Sequence, residues 1–285
     1  MRALAPVLTV VAVIVVLWYA AAVMMNRTWV YDQAARDGVT VSFSEMVPLT
    51  MAQERPVLPA PHQVVSELAK ATLFTAPTSK RSLVYHGWIT LSATLLGFVI
   101  GTGLGIALAV GIVHNRAMDQ SVMPWAIASQ MVPIIALAPM LAVVMNQLGL
   151  SGLATKAVIS AYLSFFPVVV GMVKGLRSPD RMQLDLLTTY GASQSQTFWK
   201  LRLPASMPYF FASVKVGVAA SLVGAIVAEL NQPAGIGARL LQGSYYGQTL
   251  QIWAALILAA ILAALLIAAF GGVERATLKR MGMAR

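Results

Sequence analysis

Cysteine is absent from the 285-residue chain, and charge is scarce: Asp, Glu, Lys and Arg make up 11% of it. Without thiols there can be no disulfide framework, no thiol nucleophile and no Cys-based zinc site. Histidine is rare as well, with only His62, His86 and His114, far apart in sequence. No G-x-x-x-x-G-K-[ST] stretch occurs, so the chain does not hold ATP in a P-loop. H-E-x-x-H and G-x-S-x-G are missing too, and the few carboxylates are scattered, leaving no evident acid–base pair. These absences count against an enzyme and leave a carrier or channel subunit.

What the chain has is apolar sequence. Hydrophobic residues reach 58%, whereas soluble domains carry about 25% charged residues. A spanning helix needs about 20 apolar residues, and six runs qualify, near 3–25, 88–112, 123–147, 154–173, 208–230 and 251–272. The first is longer than the apolar part of a cleaved signal peptide, so it reads as a retained helix. The net charge of +10 sits mainly between the runs, which suggests membrane topology rather than nucleic acid. With six spans both termini share one side. Arg2, Arg116, Lys174, Arg177, Arg181, Lys200, Arg202, Arg275, Lys279, Arg280 and Arg285 then face only Asp119, Asp180, Asp185 and Glu274 there. The positive-inside rule makes that side the cytoplasm.

Four parts are therefore expected: an N-terminal transmembrane helix (1–25), a periplasmic segment (26–87), a five-helix core (88–272) and a cytoplasmic tail (273–285). Within the second part, Val64, Val65, Leu68 and Leu73 suggest a short amphipathic helix at the outer interface. Gly97, Gly101 and Gly105 are four apart in the second span, a spacing that most simply serves close helix packing. Pro124, Pro133 and Pro139 in the third span and Pro167 in the fourth predict kinks and freed carbonyls, which need protein or a water-lined path. Gln130, Met131, Pro133, Ser160, Ser164, Phe165, Ser221 and Glu229 are accordingly the candidates for lining a solute pathway. Lys215 and Glu229 are read as the ionisable residues inside spans. Fourteen residues apart on one helix, they stand roughly 21 Å from each other and cannot pair. Lys215 is expected to snorkel toward the cytoplasm, and Glu229 to reach water at the outer end.

The longest cytoplasmic loop, 174–207, contains "DLLTTYGASQSQTFWKLRLPASMP", polar and basic between two apolar spans. It reads as helix, a tight bend at Gly191, a second helix, and a proline stop at Pro204 before span five. Exposed aromatics on a short loop helix suit a groove in a partner, although a basic helix could equally lie on the inner leaflet. The spacing resembles the EAA loop of binding-protein-dependent ABC importer permeases. Asp185 stands at the acidic position, Leu186 and Leu187 at the two alanines, Gly191 at the glycine, and Leu201, Leu203 and Pro204 at I-x-L-P. "LPAPHQVVSEL", "SQMVPIIALAPML" and "VGAIVAELNQPAGIGARL" are similar, in order, to segments of the nitrate/sulfonate/taurine branch, while residues 27–55 match nothing in it.

The resemblance implies an all-α integral membrane protein of six transmembrane helices with the type I ABC importer permease fold, paired as a homodimer. It implies two cytoplasmic P-loop ATPase subunits that carry the ATP and magnesium, no cofactor on this chain, and a periplasmic substrate-binding protein. Coupling to the ATPase would fall to Asp185, Leu186, Leu187, Tyr190, Gly191, Ala192, Phe198, Trp199, Leu201, Leu203 and Pro204. The expected cargo is a nitrate-, sulfonate- or taurine-like solute or a pyrimidine-type vitamin precursor. An ion-coupled secondary carrier, which needs intramembrane carboxylates or unwound paired helices, and a non-transport scaffold stand as alternatives.

Overall fold

The computed structural model describes residues 4–283, which fold as helices and short connections with no strand among them. Close contacts divide the chain into two compact units. One comprises the chain up to His86 together with Ala238–Ala259; the other comprises Gly87–Gly237 together with the chain from Ala260 onward.

In the first unit, α1 runs Leu4–Arg36, α2 Phe43–Met51 and α3 Pro61–Thr72. At 33 residues, α1 is about 50 Å long and outlasts the apolar run that ends near residue 25. Asn26 marks the change. Its buried amide donates to the Leu58 carbonyl (2.9 Å) and accepts from the Val57 amide (2.8 Å). The segment before α3 is rich in proline and cannot satisfy its own backbone groups, so this one side chain ties it to α1. The indole of Trp18 adds a hydrogen bond to the Pro59 carbonyl at 3.0 Å. Helix α3 forms where the amphipathic pattern places it, but only Val64 is buried; Val65 and Leu73 face outward.

The second unit is built around α7 (Leu153–Leu176) and α10 (Leu203–Glu229), packed along their length. Beside them run α4 (Leu83–His114) and the later part of α12 (Thr249–Arg280). The glycine spacing does what it predicts. A Cβ on Gly97, Gly101 or Gly105 would stand 2.6, 2.8 or 2.9 Å from the carbonyl oxygens of Ala157, Ala161 and Phe165. Only a bare backbone lets α4 lie this close to α7.

The expected third span is instead two helices, α5 (Arg116–Ser129) and α6 (Ile134–Gln147), bent by 102°. Among the described residues, five helices are long and apolar enough to cross a membrane, or six if this bent pair is one span. Pro124, Pro139 and Pro167 stay within continuous helices; the break falls at Pro133. Proline has no amide hydrogen to give the Ser129 carbonyl, and the Tyr162 hydroxyl of α7 donates to that carbonyl instead. Borrowing a donor from a neighbouring helix is what permits a broken helix at membrane depth.

Candidate functional site

The sequence-predicted site residues fall in the second unit, most of them in the 174–207 loop or near a buried node at the other end of α7 and α10.

The loop begins where α7 ends at Leu176. Helix α8 spans Arg181–Thr189, opened by Asp180, whose amide donates to Gln183 Oε1 at 3.2 Å. Gly191 closes it with φ +70°, while its amide and that of Ala192 return to the carbonyls of Thr188 and Leu187, both at 2.9 Å. That left-handed conformation favours glycine, and nothing surrounds the position that would otherwise exclude a side chain. Helix α9, Gln194–Thr197, starts with a reciprocal cap: Ser193 Oγ accepts from the Gln196 amide, and Gln196 Oε1 accepts from the Ser193 amide.

The expected stop at Pro204 is absent. A π-helical turn, Phe198–Arg202, joins α9 to α10, with the Leu203 amide reaching back to the Phe198 carbonyl. The five-residue spacing falls just before Pro204, whose missing amide interrupts the regular helical hydrogen bonding at that point. The loop's second helix is therefore continuous with a membrane helix, from Gln194 to Glu229. Arg202 Nη1 donates to the Leu176 carbonyl at 3.2 Å and braces this junction.

The proposed coupling residues separate into two sets. Phe198 and Leu203 pack on the core of Val168, Val169, Met172, Val173 and Leu176. Leu187, Ala192, Leu201 and Pro204 are half-buried, and Asp185 is exposed. Met182 and Leu186 on α8 and Tyr190 at its C-cap, four residues apart, are 79%, 56% and 79% exposed, and Trp199 is also open. A rigid helix thus presents an apolar row to its surroundings.

At the opposite end of α10, Glu229 is fully buried, contrary to the expectation that it reaches water. The segment 230–235 folds back over it, and the carboxylate is filled with donors. Thr90 Oγ1 of α4 donates to Oε2 at 2.7 Å, the Gly237 amide to Oε2 at 3.2 Å, and Lys156 Nζ of α7 to Oε1 at 3.4 Å. Lys156 also donates to the Ala234 carbonyl (3.0 Å), and the Ile236 amide to Thr90 Oγ1 (2.9 Å). The sequence reading overlooked Lys156. The available signal was its position three residues inside the fourth run, at the same end as Glu229. Lys215 does not simply snorkel; its ammonium pairs with Glu274 at 2.7 Å.

Of the other pathway candidates, Ser160 and Ser221 bond each other (2.6 Å), Ser221 also reaches the Thr94 carbonyl (2.8 Å), and Ser164 bonds the Ala161 carbonyl (3.2 Å). Phe165 lies half-buried beside Tyr162. Gln130, Met131 and Pro133 occupy the α5–α6 break, with Met131 exposed. The structure brings Ser160, Ser221 and Glu229 onto the α7–α10 contact; Gln130, Met131 and Pro133 belong to the break.

Long apolar helices, a broken pair, and a polar loop helix continuous with a spanning helix are the features of a multi-pass membrane protein. The profile of the binding-protein-dependent transport system inner membrane components matches residues 101–282. The chain belongs to that family, the ABC importer permeases of the inner membrane. It is 30% identical over 176 residues to the formylaminopyrimidine transport permease protein ThiX of Halalkalibacterium halodurans, covering 61% of this chain and 65% of that one. It is 28% identical over 222 residues to a probable ABC transporter permease protein of Haemophilus influenzae, covering 78% and 86%. The putative aliphatic sulfonates transport permease protein SsuC of Bacillus subtilis is 24% identical over 224 residues, 78% of each. Among solved structures, an inward-facing form of the MetNI methionine ABC transporter superposes with a TM-score of 0.62 at 19% identity, covering 68% of this chain and 95% of that one. The fold is that of a type I importer permease.

Proposed function

We propose that the chain, as a homodimer, forms the path of an ATP-driven importer that carries a small polar organic solute or anion from periplasm to cytoplasm. Its relatives include permeases named for a formylaminopyrimidine, riboflavin, aliphatic sulfonates and nitrate, which span heterocycles and oxyanions. Both termini and the 174–207 loop lie in the cytoplasm, in keeping with the basic residues gathered there. A periplasmic binding protein delivers the solute. Two P-loop ATPase subunits, which hold the ATP and magnesium, each receive α8 in a surface groove.

The observation that carries this reading is the exposed row Met182, Leu186 and Tyr190 along α8, which the turn at Gly191 joins to a helix continuous with a membrane helix. Apolar side chains at i, i+4 and i+8 are how a helix addresses a groove. Movement of the docked helix then reaches α10 through the π turn and Arg202. The native sequence has no cysteine, so Tyr190→Cys gives a clean probe. It is expected to label with a charged maleimide from the cytoplasmic side alone, and to be protected when the ATPase subunit is co-expressed. Labelling from outside intact cells, or equal labelling with and without the ATPase, overturns the proposal.

A further inference from the structure

A cleft of about 740 Å³ opens between α3, the connection from Leu73 to Ser82, α11 (Ile236–Tyr245) and the start of α12. Lys70, Arg81 and Arg239 line it against a single carboxylate, Glu67, and Gln242, Gln248 and Gln251 add amide groups to the wall. Three cations around one acid repel one another unless an anion joins them. Arg239 is the most constrained. Its Nη2 donates to the Arg81 carbonyl at 3.0 Å, while Nε is buried with no hydrogen-bond partner among the described residues. Burial pushes the guanidinium's pKa down, and the Glu67 charge opposes that shift. A buried donor without an acceptor is uncommon and calls for one. Guanidinium groups pair readily with the oxygens of a carboxylate, sulfonate or phosphate. The volume falls within the range of small-ligand sites.

We propose that this cleft is a binding site for a single oxyanion group, held by the guanidinium groups of Arg239 and Arg81 and the ammonium of Lys70. The same chemistry is offered by a free solute anion and by a phospholipid headgroup. The inference does not rest on ATP-driven transport, because binding is read on the permease alone. The test uses the whole chain in nanodiscs of phosphatidylcholine, titrated calorimetrically with taurine and with inorganic phosphate, and in parallel nanodiscs containing phosphatidylglycerol, followed by native mass spectrometry. Saturable binding of either probe, weakened at least tenfold by Arg239→Gln and several-fold by Lys70→Gln, identifies a solute-anion site. Phosphatidylglycerol retained by the parent chain and lost from both variants identifies a headgroup site. Thermal unfolding of each variant checks that it is folded, and Lys200→Gln, which does not line the cleft, leaves binding unchanged. Neither probe nor lipid bound, or equal binding by the parent and both variants, overturns the proposal.

Discussion

Glu229 and Lys156 form an ion pair removed from water, with side chains 0% and 7% exposed. Deleting one partner strands the other, at a cost of about 3–5 kcal/mol, whereas replacing both charges together is far milder. Lys156→Met is therefore expected to lower the thermal stability of the detergent-solubilised chain strongly. Adding Glu229→Gln should recover most of the loss, because the amide still accepts from Thr90 and Gly237. A double variant no more stable than the single one would show that the charges are not coupled. Why the sequence hid this pair is physical. The partners are 73 residues apart, and only the fold-back of 230–235 encloses the carboxylate. A glutamate at the end of an apolar run, read alone, points to water. Gly191 is the opposite case, since its role is local: one backbone torsion closes α8, whatever packs elsewhere.

At the scale of elements, the proposed coupling requires that α8 keep its angle to the helix that follows. The left-handed turn at Gly191 fixes that angle, and a β-branched side chain there costs about 1–2 kcal/mol, while asparagine is tolerated. No atom within 4 Å would meet a new Cβ, so crowding plays no part. Gly191→Val is expected to lower solute uptake per ATP hydrolysed several-fold, and Gly191→Asn to stay within about twofold of the parent. Equal coupling ratios for all three proteins would remove the turn from the mechanism. Most spanning helices could be read in the sequence because each apolar run is continuous. The α5–α6 break could not, since four prolines in these runs looked alike. What singles out Pro133 is the Tyr162 hydroxyl, which meets the carbonyl that Pro133 leaves unpaired; the other prolines stay within unbroken helices.

On the whole-molecule scale, the architecture leaves apolar surface uncovered. Val7, Leu8, Ile14, Val16 and Leu17 on α1 stand open, as do Trp125, Ile135, Met140 and Val143 on α5 and α6. Lipid suits the first set, and lipid or a second copy of the chain the other. The central claim is that this chain conducts solute while another subunit spends ATP on moving it. The most direct measurement is uptake of the cognate solute into proteoliposomes containing the chain, its ATPase subunit and its binding protein. Uptake is expected to require ATP, the ATPase and the binding protein together, and to fall at least tenfold in the Leu186→Glu/Tyr190→Glu variant, which puts two charges on the exposed face of α8. The chain alone should hydrolyse no ATP. Uptake by the chain alone, driven by a proton or sodium gradient, would contradict the account.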